Sequence, residues 1–315
     1  MFTDSGLIHA LRLDARVPFA TVAEVLGSSP QTVARRYRRL REEAGLRVTG
    51  LADPHRASRQ QWLVRFTASP RAAQEIAYAL ARRADTAWVR LTSGGTEIVT
   101  IVTTDPAGGD PHALLLRDVP RTASITAVSA HYLLHLYLGG PTAWRGHLGT
   151  LTADQQERLA YDVPVRGPVP LTAEDHRLIA ALGRDGRAAH TALAAETGWS
   201  ASTVARRIDH LRRHGVLFFD VEADDGLFGI TASALLWLSV PPAHLDRVAT
   251  ALAGHPELAV VAATTGRTNL LATVLAADPA ALHRYLTTRL TDPAITTIET
   301  TPILRTLKAV APLRT

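Results

Sequence analysis

The chain has 315 residues, of which 46% are apolar and 20% are charged. This composition excludes a disordered or collagen-like chain, and the length indicates two or more domains. No uncharged apolar run reaches the ~18 residues of a membrane span, and no basic segment precedes an apolar one as in a secretion signal. The absence of cysteine excludes disulfides, zinc–thiolate sites and thiol nucleophiles. We expect a cytoplasmic protein with no membrane partner.

The formal net charge of +5 is concentrated in two segments. Residues 1–50 contain 8 arginines and 5 acidic residues, and residues 172–217 contain 7 arginines and 5 acidic residues. The rest of the chain is neutral, and Lys308 is the only lysine. Concentrated positive charge is typical of surfaces that bind nucleic acid.

The two basic segments are copies of each other. Residues 4–43 align with residues 175–214 at a constant offset of 171, and 17 of the 40 positions are identical without a gap. The densest match is Thr-Val-Ala-Arg-Arg, at 32–36 and again at 203–207. The chain is therefore an internal duplication.

Residues 1–52 are predicted to form the first helix-turn-helix domain. Gly27 marks the turn, and Ser29 is placed to cap the helix that follows. Residues Val33, Tyr37 and Leu40 recur at helical spacing and predict its buried face. The outward face then presents the candidate DNA-binding residues, which are Ser29, Gln31, Thr32, Arg35, Arg36 and Arg39. Short polar side chains followed by arginines suit a recognition helix in the major groove.

Residues 60–140 follow the order strand, helix, strand, strand, helix, strand. Gly94 and Gly95 lie in the turn between the two central strands, and Asp110-Pro111 is predicted to start the second helix. This order is typical of a ferredoxin-like domain. Because such a sheet has an open edge, these domains often pair with a second copy.

Residues 141–170 are interpreted as a connector. Within it, the capping box Thr152-x-x-Gln155 predicts the start of a short helix. Residues 171–225 repeat the helix-turn-helix domain, with its turn at Gly198. The candidate DNA-binding residues of this copy are Ser200, Ser202, Thr203, Arg206 and Arg207. Residues 231–315 repeat the ferredoxin-like order.

The run Leu193-Ala-Ala-Glu-Thr-Gly-Trp-Ser-Ala-Ser-Thr-Val-Ala-Arg-Arg-Ile208 and the preceding Leu171-Thr-Ala-Glu-Asp175 carry a resemblance to a known family. Followed by a ferredoxin-like domain, they resemble the leucine-responsive (Lrp/AsnC) transcriptional regulators, here as two tandem units. The resemblance implies an α+β fold in which two winged helix-turn-helix domains alternate with two ferredoxin-like domains. It also implies double-stranded DNA as partner, a small effector such as an amino acid, and a homo-oligomer, here a dimer or tetramer of chains.

Members of this family use a glycine-containing turn near the effector, usually followed by an aspartate. Here Asn269 and Glu97 replace that aspartate, which argues against a standard amino-acid effector. The candidate effector-binding residues are Gly94, Gly95, Thr96, Gly266, Arg267, Thr268 and Asn269. An ordinary turn without a ligand is the alternative interpretation.

Two histidine pairs, His131 with His135 and His210 with His214, have a spacing that allows a metal ion on a helix. The first pair falls in a predicted strand, and the second ends a helix, where imidazole interacts favourably with the helix dipole. We therefore predict no metal and no cofactor. No nucleophile elbow, phosphate-binding loop or zinc-protease motif occurs, so no catalytic residue is predicted.

The sequence thus predicts a sequence-specific transcriptional regulator that is not an enzyme. One chain contains the equivalent of a family dimer, and its two recognition helices differ, with Gln31 matched by Ser202 and Arg39 by His210. An imperfectly palindromic DNA site is therefore expected. The alternative is a tetrapyrrole (siroheme-type) decarboxylase that uses His131 and His135. An enzyme, however, would have no need for two arginine-rich recognition helices.

Overall fold

The computed structural model describes residues 3–53, 59–105, 112–140, 150–161 and 169–310. They separate into two compact units, one within Met1–Ala57 and Arg145–Gly229 and the other within Ser58–Trp144 and Ile230–Thr315. The first unit contains both helix-turn-helix domains, called here the heads, and the second contains both sheet domains. None of the helices in the described ranges has the length and apolar character needed to cross a membrane.

The helices, in chain order, are α1 (Asp4–Leu13), α2 (Phe19–Val25), α3 (Pro30–Glu43), α4 (Ala73–Arg82), α5 (Ala153–Leu159), α6 (Ala173–Arg184), α7 (His190–Thr197), α8 (Ala201–Arg213), α9 (Pro242–Ala253) and α10 (Pro279–Thr288). The strands are β1 (Arg47–Ala52), β2 (Gln60–Ala68), β3 (Thr86–Thr92), β4 (Glu97–Thr104), β5 (Ile125–Leu138), β6 (Leu217–Glu222), β7 (Ala232–Ser239), β8 (Leu258–Thr264), β9 (Leu270–Ala276) and β10 (Thr297–Lys308). The mixed α+β fold with duplicated domains is as predicted.

Local chemistry places α3 and α8 where the sequence predicts them. Ser29 and Ser200 each accept a hydrogen bond from the amide three residues on, at 3.2 and 3.1 Å, and so cap the two helices. Gly27 and Gly198 have φ of 63° and 79°, a left-handed conformation that costs glycine little. The predicted apolar faces are buried, as Leu211 with no exposed surface illustrates.

Helix α5 belongs to the core of the first head. Its predicted capping box is confirmed, with Thr152 and Gln155 bonding reciprocally. The Gln155 Nε2 donates to the Val25 carbonyl oxygen at 3.1 Å, and Leu159 is buried in the apolar core of this head. The predicted connector therefore supplies a structural helix. Its residues 141–149 and 162–168 lie outside the described ranges.

Each head contributes one strand to a shared sheet. Strands β1 and β6 pair antiparallel, from Arg47 opposite Glu222 to Ala52 opposite Leu217. The family resemblance implied winged heads, and among the described residues the strand that follows each recognition helix pairs with the strand of the other head. The main-chain hydrogen bonds of the pair join one head to the other.

The two sheet domains form one closed sheet in the order β10-β3-β4-β2-β5-β8-β9-β7. Strands β5 and β10 are long enough to pair twice. The first half of β5 pairs with β2 and its second half with β8, while β10 pairs in the same way with β7 and then β3. The two sheet domains therefore pair with each other within one chain.

The two sheet domains differ in the element before the last strand. In the second domain this element is α10, which Asp278 caps. In the first domain the predicted start at Asp110-Pro111 lies outside the described ranges, and a single π-helical turn (Leu114–Asp118) and a 3₁₀ turn (Val119–Arg121) follow. A pocket lined by Trp62 and Leu116, among others, opens beside these turns.

Candidate nucleic-acid interface

The predicted DNA-binding residues lie on the solvent side of α3 and α8. Eleven side chains were expected to reach the groove, and seven of them are exposed: Ser29, Gln31, Arg35, Arg39, Ser200, Ser202 and Arg206. The remaining members, which are Thr32, Arg36, Thr203 and Arg207, are half-buried. Each head therefore presents polar helix N-terminal residues and arginines on one exposed face.

Arg35 and Arg206 occupy equivalent positions at the offset of 171. Both are exposed, and neither guanidinium has a hydrogen bond or ion pair with any described residue. Each contributes a full positive charge to the outward face of its recognition helix. A guanidinium in this position is available for phosphate or for the guanine edge.

The structure corrects the placement of Arg36 and Arg207, which were expected to face DNA. Arg207 makes a bidentate pair with Asp175, with donor–acceptor distances of 2.7 and 2.6 Å. Arg36 Nε lies 3.3 Å from Asp4 Oδ1 at the equivalent place in the first head. Both carboxylates sit at the start of the first helix of their head. These two arginines therefore fix the recognition helix against that helix.

Burial makes the ion pair of Arg207 with Asp175 stronger than that of Arg36 with Asp4. The side chain of Asp175 is fully buried, whereas that of Asp4 is 33% exposed. Burial acts to raise the pKa of Asp175, but the hydrogen bonds from Arg207 and the Thr172 amide outweigh it and lower the pKa. The same pair raises the pKa of Arg207. Both groups are charged at neutral pH.

Arg39 is also engaged within its head, since its Nη2 lies 2.8 Å from Asp4 Oδ2. The equivalent position in the second head is His210, whose ring lies 4.2 Å from that of His214. Desolvation, followed by the charges of His214 and Arg207, lowers the pKa of His210. The first head therefore presents an arginine where the second presents an imidazole with a reduced tendency to be charged.

Two arginines that sequence reasoning missed hold the heads together. Arg16 Nη1 donates to the Gly186 carbonyl oxygen at 2.6 Å, and Arg187 Nη1 donates to the Ala15 carbonyl oxygen at 2.5 Å. Each guanidinium bonds a second carbonyl of the opposite head, at 3.0 and 2.9 Å. Burial lowers the pKa of both arginines. Their match at the offset of 171 was visible in the sequence.

A second reciprocal pair of contacts flanks the first. Arg212 Nη2 lies 2.6 Å from Asp14 Oδ1, and the equivalent Arg41 lies 3.4 Å from Asp185 Oδ2. Each ion pair joins a recognition helix of one head to the end of the first helix of the other. The four arginines and the β1–β6 pair therefore fix the two recognition helices relative to each other.

The candidate effector turns are largely explained by contacts within the fold. Asn269 accepts from the Val240 amide at 2.9 Å and donates to the Val240 carbonyl oxygen at 2.8 Å, so its side chain anchors the turn. Gly266 has a φ of 107°, and a Cβ there would lie 2.3 Å from His131 Nδ1. The glycine is thus required by backbone conformation and by close packing.

The matching turn of the first domain has left-handed glycines, with φ of 76° at Gly94 and 84° at Gly95. The Thr96 hydroxyl donates to the Ser93 carbonyl oxygen at 3.5 Å. In the second turn, the carbonyl oxygens of Arg267 and Thr268 accept hydrogen bonds from neighbouring hydroxyls. The described contacts account for these turns without a ligand.

Two domain models of one protein family match this chain. The AsnC-type helix-turn-helix domain matches residues 3–41 and again 171–212, and the Lrp/AsnC ligand binding domain matches residues 233–313. The chain belongs to the Lrp/AsnC family. In this Lrp/AsnC chain the helix-turn-helix domain is duplicated, in agreement with the repeat seen in the sequence.

Similar proteins include a regulator and an enzyme. The HTH-type transcriptional regulator FL11 of Pyrococcus horikoshii is 29% identical over 141 residues, which cover 44% of this chain and 93% of that protein. The crystal structure of the siroheme decarboxylase NirDL matches with a TM-score of 0.65 and 14% identity over 99% of this chain and 95% of that one. Its co-complex with an iron-uroporphyrin III analogue matches with a TM-score of 0.64 and 13% identity, over 98% and 93% of the two chains.

The decarboxylase structures correct the prediction that this Lrp/AsnC chain is not an enzyme. That prediction took two helix-turn-helix heads as evidence against catalysis. NirDL shares the fold over nearly the whole chain and is an enzyme. Two helix-turn-helix heads therefore do not distinguish a regulator from an enzyme. The prediction that this chain is not an enzyme is wrong, because it rested on that distinction.

Proposed function

We propose that this Lrp/AsnC chain is a cytoplasmic, sequence-specific transcriptional regulator that binds double-stranded DNA through α3 and α8. The observation that carries the proposal is the pair Arg35 and Arg206, exposed and without a partner among the described residues at equivalent places of both recognition helices. A structural role would leave such arginines paired, as Arg36 and Arg207 are. Free guanidinium groups beside polar helix N-termini are what major-groove binding requires.

The junction between the heads supports binding by a single chain. Because Arg16 and Arg187 bond the opposite head, one chain carries two recognition helices in a fixed arrangement. In dimeric helix-turn-helix proteins the two half-sites lie about 34 Å apart, one turn of the duplex. The different residues at Gln31 and Ser202 favour two unequal half-sites. A perfect palindrome that binds most tightly in a selection would contradict this.

The test is a binding selection from genomic fragments, followed by fluorescence anisotropy on the enriched site at several salt concentrations. The variant R35A/R206A should weaken binding and reduce the salt slope by about one unit for each lost phosphate contact. The variant R284A, an exposed arginine of the sheet unit, removes positive charge elsewhere and should leave the slope unchanged. An unchanged slope in R35A/R206A would overturn the assignment.

We further propose that a small-molecule effector modulates binding, as the turn residues Gly94, Gly95, Thr96, Gly266, Arg267, Thr268 and Asn269 suggest by family resemblance. The engagement of Asn269 with Val240 supports an effector other than a standard amino acid. The chains are proposed to associate into dimers or tetramers. Light scattering tests the association, because a dimer or tetramer has two or four times the mass of one chain. Anisotropy on the selected DNA site with a panel of amino-acid derivatives and related metabolites tests the effector, which should change the DNA affinity.

A second candidate, tetrapyrrole decarboxylation, is favoured by the match to NirDL over 99% of the chain. His131 and His135 are its candidate residues. They lie on β5, where His131 Nδ1 is 2.7 Å from the Thr265 carbonyl oxygen and the His135 ring is 4.6 Å from Tyr137. Mixing the protein with a siroheme-type compound tests this candidate. A Soret shift with loss of CO₂ by mass spectrometry, abolished in H131A, would establish it.

A further inference from the structure

A row of exposed side chains runs along each recognition helix and is called here its outward row. In α3 this row consists of Gln31, Arg35 and Arg38, which recur at i, i+4 and i+7 and therefore lie on one face. All three are exposed, whereas Tyr37 and Leu40 on the other side of the helix are buried. Residues of such a row can contact base edges when the helix enters the major groove.

Arg38 was not among the predicted DNA-binding residues. Its spacing to Glu42 allows an i,i+4 ion pair, yet the Arg38 guanidinium has no hydrogen bond or ion pair with any described residue. Arg35, three residues earlier on the same face, is free in the same way. Like charges at this spacing repel each other, and a bound phosphate or guanine edge would relieve that repulsion.

The second head has a carboxylate where the first has Arg38. At the offset of 171 the outward row of α8 consists of Ser202, Arg206 and Asp209. The Asp209 side chain is 45% exposed. The two rows therefore share the free arginine at their centre, but three residues later one has a positive charge and the other a negative charge.

Two contacts hold the Asp209 carboxylate in place. The hydroxyl of Tyr161 donates to its Oδ1 at 2.7 Å, and Arg213 Nε lies 3.0 Å from its Oδ2. A carboxylate offers about four lone-pair positions, so these contacts leave it able to accept from a further donor. The second head thus presents a positioned acceptor where the first presents a free donor.

A guanidinium and a carboxylate favour opposite edges of a G·C base pair. In the major groove guanine presents the acceptors N7 and O6, to which arginine donates, whereas cytosine presents the N4 amino group, from which a carboxylate accepts. A carboxylate placed against guanine or a phosphate meets only acceptors and is repelled. Arg38 and Asp209 therefore discriminate between a base pair and its inverse.

We propose that Arg38 and Asp209 set the orientation of the chain on its DNA site. The first head binds the half-site that presents a guanine to Arg38, and the second head binds the half-site that presents a cytosine to Asp209. This inference rests on the proposed DNA binding and adds a direction to it. Because the heads are joined by reciprocal arginine contacts, exchanging the two charges should reverse the orientation on the same DNA.

The test is localised DNA cleavage by the full chain on the selected site. The chain contains no cysteine, so the exposed position 42 in E42C gives one attachment point for an iron chelate that cleaves DNA beside the first head. This protein should cleave one half of the site at least about tenfold more strongly than the other, since one good base contact discriminates by about that factor. In R38D/D209R, made in the same background, the stronger cleavage should move to the other half.

The matched control is R284D, which makes the same charge change as R38D at an exposed site on α10 and should leave the cleavage ratio unchanged. Circular dichroism checks the folding of each variant. If R38D/D209R does not fold, R38A and D209N replace it, because R38A removes no contact with a described residue and D209N keeps an acceptor for Tyr161. Each of these should lower the ratio by about threefold or more.

The proposal is overturned if E42C cleaves both halves equally, or if the exchanged or replacement variants keep its cleavage ratio. Either result, obtained with a chain that binds the selected site, leaves the proposed DNA binding intact. If the native chain binds no DNA, the proposed function fails and the orientation fails with it. The two failures are therefore distinguished by whether the native chain binds.

Discussion

Arg65 and Trp237 occupy equivalent positions in the two sheet domains and contact each other, with the guanidinium carbon 5.1 Å from the indole centroid. Arg65 Nε donates to Glu97 and its Nη2 to Glu299, both at 2.5 Å. The Trp237 Nε1 donates to Thr301 at 3.1 Å. At this position the two sheet domains therefore carry different residues that interact favourably with each other. Pairing of the first domain with another first domain would bring two arginines together.

Replacing Arg65 with methionine should destabilise the sheet unit by about 2 kcal/mol. The change leaves Glu97, whose side chain is only 10% exposed, without its cation. Chemical unfolding in urea measures the effect. R284A, at an exposed site on α10, is the control and should change the free energy of unfolding by less than about 0.5 kcal/mol. Equal effects in the two variants would contradict a specific role for Arg65.

The two equivalent aspartates should differ in their contribution to stability. D175A removes a fully buried partner of Arg207 and should cost about 3–5 kcal/mol, whereas D4A removes a partner that is 33% exposed and should cost about 1 kcal/mol or less. Thermal unfolding of both variants checks the order. The prediction is wrong if D4A proves as damaging as D175A.

Asp220, on β6, should make stability fall between about pH 4 and pH 6. Desolvation, followed by the nearby Glu222, raises its pKa to about 6, although Arg12 opposes the shift. Because the folded carboxyl binds its proton more tightly than the unfolded one, the free energy of unfolding decreases as pH rises through this window and then levels off. D220N should show a shallower decline when urea midpoints are measured from pH 4 to pH 7. A decline of the same slope in D220N would assign it to other groups.

The reciprocal contacts between the heads should set the spacing of the DNA half-sites. In R16A/R187A four hydrogen bonds to backbone carbonyls of the opposite head are lost. We expect weaker binding to the selected site and a smaller penalty when base pairs are inserted between its halves, both measured by anisotropy. R184A, which removes an exposed arginine from α6, should behave as the native chain does. A spacing penalty that survives in R16A/R187A would show that the β1–β6 pair suffices.

In the two recognition helices, the features that depend on neighbouring residues were predicted correctly from the sequence. The predictions for the caps Ser29 and Ser200, the turn at Gly198 and the buried face including Leu211 are confirmed. Each of these features depends on residues within about four positions, so the helix itself decides it. Local patterns do not show which of Arg35 and Arg36 is free to bind DNA. Both lie on the outward side of α3, and only the position of Asp4 on another helix separates a free guanidinium from a paired one.

The sequence by itself determined the duplication, the order of elements and the α+β class, because repeats and periodicity are properties of the chain alone. It also contained the matched Arg16 and Arg187, to which the sequence patterns gave no role. Tertiary structure decided that they join the heads, that β5 and β10 pair twice, and that one sheet domain has an open pocket beside Trp62. These outcomes depend on contacts between groups that lie more than a hundred residues apart in the sequence. Such contacts form by packing between elements, which the pattern of neighbouring residues does not predict.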